Sequence, residues 1–325
     1  MARSVLSRRL ASISEEVSWL RYLGWFFDGP VILAFWGICG LLPPAAASRL
    51  GAALVGFLGP RSHKQKHVLA NLATALRDTP EREQRRIAKR IWRGLGMVMA
   101  EYPHMARIAN ERMHIEMTPA AAAVFAGGKR AIFVTAHVGN WEISAHALVT
   151  SGARLAAIYS PLSNPLVDWA MRRYRGVFPC EYMPKDNAMR TWLRKGEDGP
   201  SLALMVDQRG EGGDLLPFFG VPCETVTTPA RLAARYGVPL VPFRVTREGD
   251  ARYTVRFEDP VPRPADGDAA LGMMAALTAR FEAWIVERPH EWMCTKRRWP
   301  KPGKSKRERK AEAEAAAAAA RNSGR

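Results

Sequence analysis

AIFVTAHVGNWE, residues 131–142, decides how this chain is read. The first six residues are apolar or small, with no polar alternation, and they run into a turn-forming Val-Gly-Asn. A short continuous apolar run of this kind predicts a strand covered on both faces, as in a parallel sheet with helices on either side. Gly139 supplies the positive φ that a tight strand-to-helix turn requires. Asn140 is a good N-cap for a helix beginning at Trp141, and Glu142 then lies in the first turn, where the helix dipole favours a carboxylate. His137 falls at the C-terminal end of the strand, where open α/β sheets place their ligands.

The spacing of His137 and Glu142 carries a chemical expectation. Residues five apart on a continuous helix point about 140° away from each other. The two side chains meet only if a turn folds between them, and Val138-Gly139-Asn140 supplies one. A carboxylate on one imidazole nitrogen fixes the tautomer and raises the basicity of the other, which then takes a proton from a hydroxyl. The expected catalytic unit is thus a His137–Glu142 general-base dyad with no protein nucleophile. His104, His146 and His290 lack such a setting and read as structural.

Downstream, strands are expected over residues 155–159, 201–206, 238–245 and 253–257, the last two as a hairpin across residues 247–250. Helices are expected over residues 165–174, 228–236 and 271–287, with Gly237 closing the second. Strands alternating with helices predict an α/β fold, a mixed, mainly parallel sheet flanked by helices. Upstream, residues 63–105 read as two helices from the spacing of Leu69, Leu72 and Leu76, then Ile87, Ile91, Leu95 and Val98. Thr79-Pro80-Glu81 resembles a cap with proline at the first helical position. Gly94 and Gly96 read as helix packing.

Residues 20–42, LRYLGWFFDGPVILAFWGICGLL, approach the length of a membrane span, but Arg21, Asp28 and Pro30 interrupt them. The uninterrupted part, residues 31–42, suits an interfacial or re-entrant element better than a spanning one. Trp25, Phe26, Phe27, Phe35 and Trp36 are typical of a segment at headgroup level. A buried amphipathic helix is the alternative. Residues 1–16 read as a short helix or frayed start, and their pattern does not fit a cleavable signal peptide. Three regions follow: an N-terminal membrane-associated segment (1–45), a catalytic domain (46–300), and a basic, Ala-rich tail, disordered or helical (301–325).

The chain has 325 residues and a formal charge of +17. Residues 296–325 hold eleven basic and three acidic residues, so the tail contributes +8 and the rest is still basic. Such a field favours anionic partners: nucleic acid, an anionic membrane face or an acidic protein. Collagens, coiled coils, disordered regulators and polytopic transporters do not fit a chain that is 47% hydrophobic and 24% charged. Cys39, Cys180, Cys223 and Cys294 lie far apart, with no metal-site or disulfide-framework spacing. No G-x-S-x-G, P-loop or H-E-x-x-H motif is present, and no helix-turn-helix, RNP or zinc-finger spacing supports nucleic-acid binding.

His137-x4-Glu142 at a strand end resembles the H-x4-D/E block of the glycerolipid acyltransferase superfamily. The surrounding text is similar to its bacterial branch, the late (lauroyl and myristoyl) acyltransferases of lipid A biosynthesis, over roughly residues 61–300. Asn71-Leu72, Gly96-Met97 and Glu101 are similar to the helical lead-in of that branch. Residues 159–169, with Asn164 and Asp168, followed by Arg175, resemble its second block, whose arginine is implicated in catalysis. Asp207-Gln208-Arg209, with residues 217–220 and 227–229, resembles the third. Trp292, Arg297, Arg298 and Trp299 resemble the closing basic-aromatic motif. Two departures stand out: Asp207-Gln208-Arg209 replaces the F-P-E-G-T-R-S-like block that grips a glycerol phosphate, and Ser160 sits where relatives often carry arginine.

The resemblance implies fatty acyl transfer from acyl carrier protein, or coenzyme A, to a hydroxyl of a lipid A precursor, with no metal or cofactor. It implies catalytic roles for His137, Glu142 and Arg175. Substrate contacts are implied for Asn140, Asn164, Asp168, Asp207, Gln208, Arg209, Arg297 and Arg298. The implied partners are the carrier protein, the lipid acceptor and a membrane surface, at the cytoplasmic face of the inner (plasma) membrane. Other acceptors stay open, namely a lysophospholipid, an ornithine lipid or a phosphoinositol mannoside, as does a non-enzymatic basic membrane- or nucleic-acid-binding protein.

Overall fold

A computed structural model describes residues 18–184, 188–196, 198–210 and 212–300, with side chains of the first helix from Asp28 onward. The expectations for residues 1–16, for Trp25, Phe26 and Phe27, and for the tail beyond residue 300 lie outside the described residues.

The N-terminal layer is helical: α1 (Ser18–Leu41), α2 (Pro44–Leu58), α3 (Gln65–Ala75), α4 (Glu81–Ala100) and α5 (Met105–Glu111). The chain then enters the α/β part through β1 (Met113–Met117), α6 (Pro119–Ala126), β2 (Ile132–Thr135), α7 (Ser144–Thr150), β3 (Leu155–Tyr159) and α8 (Pro165–Arg175). It continues with β4 (Cys180–Pro184), α9 (Ala188–Arg194), β5 (Ser201–Met205), β6 (Asp214–Phe218), β7 (Val221–Thr225) and α10 (Thr228–Tyr236). The last elements are β8 (Leu240–Gly249), β9 (Arg252–Phe257) and α11 (Ala269–Glu287).

Seven strands form one sheet in the order β1-β9-β8-β2-β5-β3-β4. Every pairing in it is parallel except the β8–β9 hairpin, and β6–β7 stands apart as a two-stranded ribbon. The mixed, mainly parallel sheet is therefore as expected. β2 sits at its centre because all four of its residues are buried. Alternation sends Ile132 and Val134 into one core and Phe133 into the other. The first core is capped by α3, α4, α9, α10 and α11, the second by α1 and α5–α8. By length and composition α11 could cross a membrane, yet Met274, Leu277, Phe281 and Ile285 bury it in the first core.

Gly51 of α2 and Gly96 of α4 mark a close helix crossing. A Cβ on either would lie 2.1 Å from the other's carbonyl oxygen, so the packing role read for Gly96 holds. In α1 the expectation is corrected in part. The helix runs continuously through Pro30. Trp36 and Cys39 turn inward, with the Trp36 indole donating to the Met99 carbonyl at 2.8 Å, so Trp36 is a core residue and not a headgroup one. Val31, Ile38 and Leu41 point outward.

Candidate active site

The chain leaves β2 into a loop clamped by a segment far ahead in sequence. The His137 carbonyl accepts from the Met293 amide at 2.8 Å, Val138 forms a bridge with Trp292, and the Gly139 amide donates to the Glu291 carbonyl at 3.3 Å. Gly139 has φ of +57°, and a Cβ there would lie 2.2 Å from the Val245 carbonyl oxygen, so both conformation and space require glycine. Asn140 caps the next turn: its Oδ1 accepts from the Glu142 amide at 3.2 Å. That turn, Trp141–Ile143, is a short 3₁₀ turn leading into α7, in place of an α-helix starting at Trp141.

The acid partner of His137 is Asp207, not Glu142. The imidazole Nδ1 lies 2.6 Å from Asp207 Oδ1, and Asp207 Oδ2 accepts from the Trp292 indole at 3.0 Å. Asp207 is 3% exposed. Burial alone would raise its carboxyl, but the adjoining imidazole and the hydrogen bonds from His137 and Trp292 outweigh that and hold it below the usual carboxylate range. In the neutral ring, an ionised Asp207 fixes the proton of His137 on Nδ1 and leaves Nε2 as the accepting nitrogen. The Gln208 amide nitrogen lies 3.2 Å from Nε2, and the Trp141 ring packs edge-on against the imidazole.

Glu142 turns the other way, which corrects the expected dyad. It is buried and grips Arg175 with two hydrogen bonds, Nε to Oε2 at 2.8 Å and Nη2 to Oε1 at 2.7 Å, and also accepts from the Trp141 indole at 3.0 Å. Burial pushes its carboxyl up, but the Arg175 charge and the hydrogen bonds from Arg175, Tyr102 and Trp141 bring it below the ordinary value. The reason is the turn itself. With the 3₁₀ turn capped by Asn140, Glu142 faces α8, whose last residue is Arg175. Arg175 is thereby held as a fixed cation, its own pKa raised by Glu142 despite the opposing effect of burial.

The other expected contacts divide into two groups. Gln208 lies beside His137 as stated, and Asn140 orders the loop. Asn164 caps α8 by accepting from the amides of Leu166 and Val167, while Asp168 accepts from the Leu162 amide and pairs with Arg172 at 3.0 Å. These two build the β3–α8 connection. Arg209 is exposed, 3.9 Å from a Glu224 carboxylate oxygen. Arg298 is only 2% exposed, and its guanidinium donates to the Glu224 carbonyl and to Thr225 Oγ1, both at 2.7 Å. It is an interior strut beneath the β6–β7 ribbon, whereas Arg297 is half-buried. All four cysteines are unpaired thiols, and burial pushes that of Cys294 up to about 12.

Asp207 as the imidazole partner was missed, although one signal for it existed. Thr135 and Met205 are register partners on adjacent parallel strands, so His137 and Asp207, each two residues further on, emerge at the same height. Glu101, read from the sequence only as part of a helical lead-in and given no role at the site, is fully buried beneath the loop, where it accepts from Asn140 Nδ2 at 2.9 Å.

At the C-terminal end of the central strand, the site joins His137 to a buried, ionised Asp207 and Arg175 to Glu142. The chain is 22% identical over 319 residues to a lipid A biosynthesis acyltransferase of Haemophilus influenzae, covering 90% of this chain and 96% of that protein. Residues 11–301 match the family described as bacterial lipid A biosynthesis acyltransferase, so the chain belongs to that family of acyltransferases.

Proposed function

We propose that this protein transfers a fatty acyl group from the thioester of acyl carrier protein to a hydroxyl of a lipid A precursor, at the cytoplasmic face of the inner membrane. The observation that carries the reading is the 2.6 Å contact between His137 Nδ1 and a buried, ionised Asp207, which leaves Nε2 as the base. The Gln208 amide nitrogen, 3.2 Å from Nε2, has to give way when an acceptor O–H approaches that nitrogen. As the hydroxyl oxygen attacks the thioester carbonyl carbon, its proton passes to Nε2 and Asp207 stabilises the imidazolium. The tetrahedral intermediate carries a negative oxygen. On collapse the C–S bond breaks, and the departing sulfur takes the proton from His137. Arg175, immobilised by Glu142, is the cation for the developing oxyanion or for an acceptor phosphate, because a preorganised charge has little reorganisation to undergo at the moment of reaction.

Supporting a membrane site, Val31 (69% exposed), Ile38 and Leu41 (88% exposed) form an apolar stripe on α1, and Leu54, Phe57 and Leu58 of α2 are also exposed. Apolar side chains flanked by exposed Arg49 and Arg61 suit an interfacial seat on anionic lipid. An acidic carrier protein suits the net charge of +17.

The test is reconstitution. The purified chain is given acyl carrier protein or coenzyme A thioesters, with a lipid A precursor or a lysophospholipid as acceptor, and products are read by mass spectrometry. Acyl addition to the precursor, faster with the carrier-protein donor, is expected. Acylation of the lysophospholipid alone would overturn the acceptor, and preference for coenzyme A would overturn the donor.

A further inference from the structure

Glu101 is fully buried and its two carboxylate oxygens receive donors from four separate parts of the fold. Oε1 accepts from Ser48 of α2 at 2.7 Å and from Arg247 Nη1 of β8 at 2.7 Å. Oε2 accepts from Asn140 Nδ2 at 2.9 Å, from Arg247 Nη2 at 3.3 Å and from the Tyr253 hydroxyl of β9. Arg247 neutralises the charge, and its guanidinium lies over the Tyr253 ring at 4.6 Å. A carboxylate so supplied has no conformational choice left.

Its effect on the catalytic loop follows from hydrogen-bond polarity. The Asn140 side chain has one donor end and one acceptor end, and an ionised carboxylate only accepts. Glu101 therefore obliges Asn140 to present Nδ2 to it and to turn Oδ1 towards the Glu142 amide, which is the cap observed. Reversing the amide would set oxygen against oxygen at one end and N–H against N–H at the other. The next residue, Tyr102, is buried and hydrogen-bonds the Glu142 carboxylate, so consecutive residues at the end of α4 hold both ends of the Asn140–Glu142 turn.

Resting on the acyl-transfer reading of this site, we propose that Glu101 is a positioning residue for the reaction. Acting through Asn140, it fixes the turn that sets Glu142, and hence Arg175, relative to His137. It does not touch substrate. Through Ser48 it also ties that turn to α2.

The experiment is a double-mutant cycle on the full chain, with thiol release from the acyl thioester as readout and thermal unfolding recorded for each variant. Loss of turnover in His137→Ala validates the assay and tests the acyl-transfer reading separately; a fully active His137→Ala would sink that reading and leave the Glu101 geometry untouched. Glu101→Gln is expected to lower kcat about 10- to 100-fold with KM nearly unchanged, the scale on which small misplacements act. Asn140→Ala should lower kcat similarly, and the double variant should be no slower than Asn140→Ala alone, because both remove one chain of contacts. Multiplied losses, or wild-type kcat in Glu101→Gln, would overturn the proposal.

Should Glu101→Gln fail to fold, Asn140→Asp decides. An acid at 140 imitates the amide only while protonated, donating to Glu101 and still capping Glu142. Its kcat should then fall as pH rises through a range where the wild type holds its rate. A pH profile parallel to that of the wild type would refute the role, and Ser48→Ala, which removes a different donor from Glu101, should lower the melting temperature without that pH signature.

Discussion

Replacing Asp207 by asparagine separates the two carboxylates of this site. Asp207 accepts two hydrogen bonds, from His137 Nδ1 at 2.6 Å and from the Trp292 indole at 3.0 Å, and both groups must donate if Nε2 is to act as base. Asparagine has nearly the same shape but offers one acceptor and one donor. If its oxygen stays with Trp292, its NH₂ faces Nδ1 and drives the imidazole proton to Nε2, the wrong tautomer. If its oxygen stays with His137, its NH₂ abuts the indole N–H in a site 3% exposed. A buried unmet donor costs about 1–3 kcal/mol, and a hydrogen bond to a charged group forgoes roughly 1.5–3 kcal/mol when the charge is removed. The imidazolium formed on proton transfer also loses its counter-charge. Together these give about 3–6 kcal/mol at the transition state, a rate loss of roughly 10²–10⁴. Thiol release at saturating acceptor, with unfolding curves to verify the fold, measures it as a fall in kcat. Glu142→Gln leaves the His137–Asp207 pair intact and loosens Arg175 instead, so it should lower kcat about 10- to 100-fold, less than Asp207→Asn does. A folded Asp207→Asn within about threefold of the wild-type rate, with Glu142→Gln the slower of the two, would refute the pairing and restore Glu142 as the partner of His137.

Three further outcomes are expected. Gly139→Ala should destabilise the fold by about 1–3 kcal/mol or more, read by denaturant unfolding, because alanine must hold φ near +57° with its Cβ against the Val245 carbonyl. His290 is held down to about 4, first by burial and then by Arg90 and Arg288. Its folded pKa lies below the unfolded value, so the unfolded chain takes the proton first and stability drops as pH falls from 6.5 towards about 4; unfolding curves of His290→Asn across that window should lose this component of the slope. Changing Val31, Ile38 and Leu41 together to serine should abolish salt-resistant flotation with anionic vesicles while leaving the melting temperature unchanged, and undiminished flotation would remove the α1 stripe from the membrane seat.

What sequence made legible here was local. The buried β2 strand, the positive φ at Gly139, the Asn140 cap and the left-handed Gly237 closing α10 each depend on a few neighbouring residues whose side chains dictate one conformation. The elements left unread are those with mixed surroundings. β1 and β4 are edge strands with half-exposed residues, and β4 ends in proline, so neither presents an apolar run. In the β6–β7 ribbon, Pro217 and Pro222 face each other within the strands, and the turn places Phe219 at φ of +52°, a conformation that phenylalanine does not advertise. Trp36 read as interfacial because its environment is set by Met99 and Tyr102, both distant in sequence.

The His-x4-Glu spacing shows how a correct motif leads to an incorrect contact. Five residues around a glycine turn bring His137 and Glu142 onto one loop, and the shortest inference joins them. Yet a carboxylate binds whichever donors its turn faces, and here the cap at Asn140 aims Glu142 at the two guanidinium donors of Arg175. The imidazole is completed instead from the adjacent parallel strand, where register alone brings Asp207 to its height. The outcome is two carboxylate-centred pairs in place of one dyad, each carboxylate held below its ordinary pKa against the effect of burial. A single Glu serving both His137 and Arg175 would divide its charge between a group that must gain a proton and one that must stay fixed. With separate partners, protonation of His137 in the proposed reaction would leave the hold on Arg175 undisturbed, so that base and cation could act in the same step.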